Sequence, residues 1–152
     1  GMSFVDMSYL RKKDLSNGIL TYRRHKTGQL LHIKWEACMQ EIVNKYKNEQ
    51  STFLLPIINT DDVEEQRKQY IYSAHNINRC LKKIGAMLGL SLPLTMYVAR
   101  HTWASIAKQK NVPISVISDG LGHDSELTTR IYLSSLDNIE IDKANKMIMR
   151  LL

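Results

Sequence analysis

"ARHTWASIAKQKNVPISVISDGLGHDSELTTRIYLSS" (Ala99–Ser135) is the stretch on which the reading of this chain turns. It carries an Arg-His pair at Arg100-His101, a Leu-Gly-His at Leu121-Gly122-His123 and, nine residues later, Tyr132. Apolar spacing predicts three helices in series, over about residues 95–110, 113–121 and 125–133. Pro113 opens the second, Gly122 turns the chain after it, and Asp124 or Ser125 is placed to cap the third. On the first helix Val98, Ala99, Trp103, Ile106 and Ala107 supply the apolar surface. Arg100 lies beside that stripe, where an Arg is costly unless paired, and Tyr97, three residues earlier, shares its face.

Working outward, "NGILTYRRHKTGQLLHIKW" (Asn17–Trp35) alternates like a β-hairpin, with Lys26-Thr27-Gly28 at its tip. A short helix is expected over Ser3–Leu10 and another over about 36–48. "TFLLPI" (Thr52–Ile57) reads as a third, edge strand stopped by Pro56. The clearest helix carries Tyr70, Ala74, Ile77, Leu81, Ile84 and Leu88 at steps of three and four, with acids near its start and Gly89 at its end. A last amphipathic helix is expected over 137–152, through Ile139, Ala144, Met147 and Leu151. The class is α+β: mostly helical, with one small antiparallel sheet of three strands.

Composition narrows the function. At 152 residues and 43% hydrophobic, the chain suffices for one domain with a core. Cys38 and Cys80 stand outside any disulfide or zinc spacing, which fits a reducing, cytoplasmic setting. No apolar run reaches membrane-spanning length. Of the net charge of +6, most comes from residues 1–34, where seven basic residues face only Asp6 and Asp14. Arg11, Lys12, Lys13, Arg23 and Arg24 are the candidates for contact with a phosphate backbone. The opening residues are apolar at once (Met2, Phe4, Val5, Met7), as expected of a chain cut at a domain edge.

The chemistry-bearing residues form a set: a planar phosphate binder (Arg100), an imidazole (His123), a phenol (Tyr132) and a hairpin Lys (Lys26). Such a set suits metal-free attack on a phosphodiester. Arg neutralises nonbridging oxygens through its fork of donors. The phenol is a nucleophile, and Lys protonates the departing oxygen. Each residue also has a purely structural use. Arg100 can be a core Arg paired with Asp6 or Asp119. His123 can be a turn residue, Tyr132 a helix aromatic beside the core candidates Leu127 and Ile131, and Lys26 a solubilising tip residue.

The segments "YVARHTWAS", "LGHDSELTT" and "TTRIYL", with "YRRHKTGQLLHI" upstream, resemble in order the boxes of the tyrosine recombinases, the phage-integrase family. The resemblance covers nearly the whole chain. It implies the family's catalytic-core fold and the breaking and rejoining of DNA at specific sites through a 3′-phosphotyrosyl intermediate. That intermediate conserves the phosphodiester energy, so neither ATP nor a metal cofactor is implied. The implied catalytic residues are Tyr132, Arg100, His123, Lys26 and Tyr97. The implied partners are double-stranded recombination sites and other protomers in a tetramer on DNA, with residues 137–152 as an exchange helix. The implied setting is a mobile genetic element or a housekeeping system at a bacterial nucleoid. An upstream core-binding domain is expected to be missing from these residues.

Two positions depart from the family pattern. Tyr97 stands where the family usually has His, three residues before the second Arg. "GMSFVDMSYL" (Gly1–Leu10) lines up with the family's first box, in which Asp6 fits the acidic position but Ser3 occupies the place of the first catalytic Arg. The expectation is that another Arg fills in or that cleavage by this chain is slow. Two other classes stay open at this level: a DNA-binding helix-turn-helix module without chemistry, and a type IB topoisomerase with related chemistry but no site specificity.

Overall fold

The computed structural model describes residues 1–46, 48–134 and 149. The expected exchange helix over 137–152 therefore lies outside the described residues, apart from Met149.

A short helix, α1 (Phe4–Ser8), starts at Ser3, whose Oγ accepts the Asp6 N–H and donates to Asp6 Oδ2. A single tight turn (Lys12–Asp14) leads into a three-stranded antiparallel sheet: β1 (Leu15–Ser16), β2 (Ile19–Arg23) and β3 (Leu30–Lys34), in that order. Asn17 and Gly18 both adopt positive φ (51° and 73°), which makes the two-residue β1–β2 turn. The β2–β3 register pairs Tyr22 with Leu31 and Leu20 with Ile33.

The third strand is thus β1 and not Thr52–Ile57, as expected from its apolar run. That segment holds only one antiparallel bridge, Phe53 with Arg11. Its side chains serve packing instead: Phe53 and Leu54 are buried, as is Ile58 just after it, and the Arg11 guanidinium lies 4.7 Å over the Phe53 ring.

Helices α2 (Ala37–Lys45), α3 (Val63–Met87), α4 (Met96–Gln109), α5 (Ile114–Leu121) and α6 (Glu126–Ser134) follow. Asp62 caps α3 by accepting the Glu65 N–H at 2.8 Å, and Gly89 ends it at a φ of 67°. The expected apolar stripe of α3 is partly buried at Tyr70, Ala74, Ile77 and Leu81 but opens to solvent toward its end, where Ile84 and Leu88 are 46% and 67% exposed. The buried positions of α3 are Gln66 and Gly85, and Tyr70 stacks on Phe4 at 5.8 Å.

Two cores result. Leu10, Leu20, Tyr22 and Leu54 join the sheet to α1 and the segment after α2. Ala104, Ala107, Ile117, Leu121 and Leu133 join α4, α5 and α6. Leu127 and Ile131, expected in this core, are exposed at 66% and 64%. The α6 face that turns inward is instead that of Thr129, Tyr132 and Leu133. Among the described residues no helix is long and apolar enough to cross a membrane.

Candidate active site

The site lies where the hairpin end of the sheet meets the C-terminus of α5. On α4 the inward positions are Arg100, Ala104 and Ala107, so Arg100 continues a stripe of small residues rather than flanking it. Only 4% exposed, it donates to the carbonyls of Gly1 and Leu121, the latter at 2.6 Å. Its Nη2 also faces His123 Nε2 at 3.4 Å.

Helix α5 ends in Gly122 at a φ of 63°, and the His123 N–H bonds back to the Ser118 carbonyl at 3.0 Å. This turn aims the imidazole inward. Its Nδ1 lies 2.8 Å from Thr129 Oγ1 on α6. Since Arg only donates, Nε2 accepts, and Nδ1 carries the proton given to Thr129. Ser125 Oγ caps α6 through the Thr128 N–H at 3.3 Å.

Tyr132, one α6 turn beyond, stacks on His101 at 5.0 Å with planes 5° apart and meets the His123 ring edge-on at 5.6 Å. Burial, and then the neighbouring Tyr97, push its phenol up to about 12, while Arg100 pulls the other way. Tyr97 meets His101 at 4.4 Å and is half-exposed at 53%.

Arg100, His123, Tyr132 and Tyr97 therefore converge. Lys26, exposed on the loop between β2 and β3, has no hydrogen bond to them, but its charge bears on His123. The loop itself is docked: Thr27 Oγ1 donates to the Gly122 carbonyl at 3.3 Å. Ser3 sits against Asp6 at 2.5 Å.

The surface patch is only partly as expected. Lys13 and Arg23 are exposed, and Arg23 reaches the Gly28 carbonyl at 3.1 Å. Lys12 is occupied by the carbonyls of Asn48 and Glu49, and Arg11 pairs with Asp61 at 3.4 Å. Arg24 is not on that surface: it is 8% exposed, because it continues the inward alternation of Leu20 and Tyr22 on β2. His101, which has no ligand spacing but adjoins Arg100 in the sequence as a candidate support for the site, is the stacking partner of Tyr132. Thr129, which holds the His123 ring, reads in sequence as an ordinary helix residue.

The cluster is cationic. Burial first, and then the charges of Arg100, Arg24 and Lys26, push His123 down to about 4 from the ordinary 6.5. Because the folded value is depressed, the unfolded chain binds more protons between those values. Stability contributed by neutral His123 is thus present above about 6.5 and lost as pH falls through about 4. Urea unfolding of His123→Gln should therefore show a smaller loss of midpoint between pH 6.5 and 4 than the unaltered chain. Equal slopes would show that the imidazole is not held neutral.

A model of the phage integrase family matches residues 9–138. A tyrosine recombinase of Pseudothermotoga lettingae is 36% identical over 70 residues, covering 46% of this chain and 24% of that protein. A tyrosine recombinase of Agathobacter rectalis is 26% identical over 114 residues, covering 75% and 36%. The chain thus spans well under half the length of these curated relatives. The crystal structure of XerA recombinase superposes with a TM-score of 0.60 over 90% of this chain and 52% of that one, at 19% identity, which is a likeness of fold. With the match running from Tyr9 through the whole Arg100–Tyr132 cluster, the chain belongs to the phage integrase family.

Proposed function

We propose that this chain is the catalytic domain of a site-specific DNA recombinase that cuts and rejoins strands through a phosphotyrosyl bond to Tyr132. The observation that carries the reading is the packing of the Tyr132 ring between His101 and His123, with buried Arg100 at Nε2 of the same imidazole. A buried guanidinium held by two carbonyls and an imidazole suits an incoming phosphodiester anion.

In the cleavage step Tyr132 Oη attacks the scissile phosphorus, the Oη–P bond forms and the bond to the 5′ oxygen breaks. Arg100 turns its fork to the nonbridging oxygens and so releases His123 Nε2, which takes the phenolic proton. The phosphate's negative charge offsets the cations that keep His123 a weak base. Lys26 gives a proton to the departing 5′ oxygen, and Tyr97 donates a hydrogen bond to the phosphate from the Arg100 face. In rejoining, the 5′ hydroxyl attacks phosphorus and both protons return. The DNA partner is a double-stranded recombination site, and the assembled form is several protomers on that site.

The test is covalent capture. Nicked suicide duplexes of randomised sequence are incubated with the protein, and denaturation-resistant adducts are digested and mapped by mass spectrometry. The adduct is expected on Tyr132. An adduct on Tyr97 or Tyr22, or none from any duplex, refutes the reading.

Backbone contact is expected from the free cations. Lys13→Ala and Arg23→Ala should each lower the slope of log affinity against log salt by about one unit. Arg11→Ala should change it less, because Asp61 already holds that charge. Unchanged slopes for Lys13 and Arg23 would place the DNA on another face.

A further inference from the structure

We infer that Arg24, delivered from the end of β2, is the second guanidinium on the scissile phosphate, in the role left open by Ser3. The inference rests on the recombinase reading above. Its basis is the C-terminus of α5, where consecutive carbonyls hold the two guanidiniums: Leu121 accepts from Arg100 and Gly122 from Arg24. Adjacent carbonyls at a helix C-terminus, the negative end of its dipole, set two cations side by side. The proximity registers on both neighbours, since the Arg24 charge weakens proton binding at Arg100 and at His123.

The opposite side of Arg24 meets Asp6. Arg24 Nε lies 3.9 Å from Asp6 Oδ2, the same oxygen that accepts from Ser3 Oγ at 2.5 Å. Arg24 therefore reaches the carboxylate that residue 3 also touches, but reaches it from the sheet instead of from α1. Asp6 is 3% exposed and divided among Ser3, the His25 N–H at 2.8 Å and Arg24. One buried carboxylate thus pairs with Arg24 and acts on the second buried guanidinium, Arg100, only through its charge. Arg24 Nε is buried without a hydrogen-bond partner. A buried positive excess with an unused donor is costly unless an anion joins it, and a phosphodiester supplies that charge.

Glycine at 122 is part of the arrangement. A Cβ there would come within 2.7 Å of Arg24 Cδ, so only Gly lets the Arg24 stem cross the end of α5.

Arg24 does not enter the bond changes; it neutralises a nonbridging oxygen as charge builds in the transition state. The experiment is single-turnover cleavage of captured suicide duplexes by the full chain, Arg24→Ala and Arg24→Lys. Each substrate is made with an ordinary scissile phosphate and with a neutral methylphosphonate in its place. On the ordinary substrate Arg24→Ala should cleave on the order of a hundred- to a thousand-fold more slowly, with Arg24→Lys between. On the methylphosphonate, which lacks the charge to be neutralised, all three should agree within a few-fold. A merely structural Arg24 predicts the same deficit on both substrates, and that result overturns the inference, as does unimpaired cleavage by Arg24→Ala. If Arg24→Ala does not fold, the Arg24→Lys comparison decides by the same criterion. Absence of adducts from the unaltered chain would instead remove the recombinase reading, and this inference with it.

Discussion

Tyr132→Phe should form no covalent adduct with DNA while folding and binding as before. The nucleophilic oxygen is the only atom removed. The ring keeps its stack on His101 and its edge contact with His123, and it still packs against the Ala104–Leu133 cluster. Loss of the hydroxyl, buried beside Tyr97 and Arg100, should cost at most on the order of 1 kcal/mol of stability. Removing a nucleophile that acts as one unit with its neighbours typically costs on the order of a million-fold in rate. The measurement is adduct yield on the suicide duplexes beside a filter-binding curve and a thermal melt. Retained adducts in Tyr132→Phe would mean that another group attacks phosphorus. The phenol, pushed up to about 12, enters the reaction protonated. Proton removal is therefore part of the step, and His123 is the neutral acceptor beside it.

Arg100→Ala should lose both rate and stability, and the two losses separate by a third readout. Truncation leaves the Leu121 carbonyl without its donor at the end of α5 and opens space beside Ala104. An orphaned buried acceptor costs about 1–3 kcal/mol. The transition state loses a bidentate donor pair, on the order of a hundred- to a thousand-fold in cleavage. The third readout is His123. Arg100 is the largest charge lowering it, after burial itself. Removing that cation relieves repulsion of the imidazolium, so His123 should titrate upward from about 4. An NMR titration of the ring follows this directly. A variant that is merely less stable but leaves the His123 titration unmoved would place Arg100 away from the imidazole and against the proposed step.

Arg24 and Arg100 have opposite histories in the sequence. Arg100 was legible because helical spacing set it beside an apolar stripe, and its His and Tyr partners followed at family spacing. Arg24 counted as one more surface cation. Yet the alternation Leu20, Tyr22, Arg24 already placed it on the inward face, because successive strand side chains alternate sides. What no local rule supplies is its target, the Gly122 carbonyl far along the chain. The same limit explains α6 and the third strand. The apolar content of Leu127, Ile131 and Thr52–Ile57 was legible, but the neighbours that bury one residue and expose another were not.

By itself, then, the sequence determined the local elements. Alternation specified the β2–β3 hairpin, caps and glycines set the helix ends, and the Arg100, His123 and Tyr132 boxes carried the family likeness. These are short-range effects of sterics, periodicity and capping, each contained within a few residues. Only the tertiary structure decided which cations face inward together, because that depends on groups brought side by side across the chain. The end of α5 presents two consecutive carbonyls, Gly122 has no Cβ to block the Arg24 stem, and Asp6 faces both Ser3 and Arg24. Burial then raises the cost of leaving that positive cluster uncompensated, which is the physical reason it suits a phosphodiester.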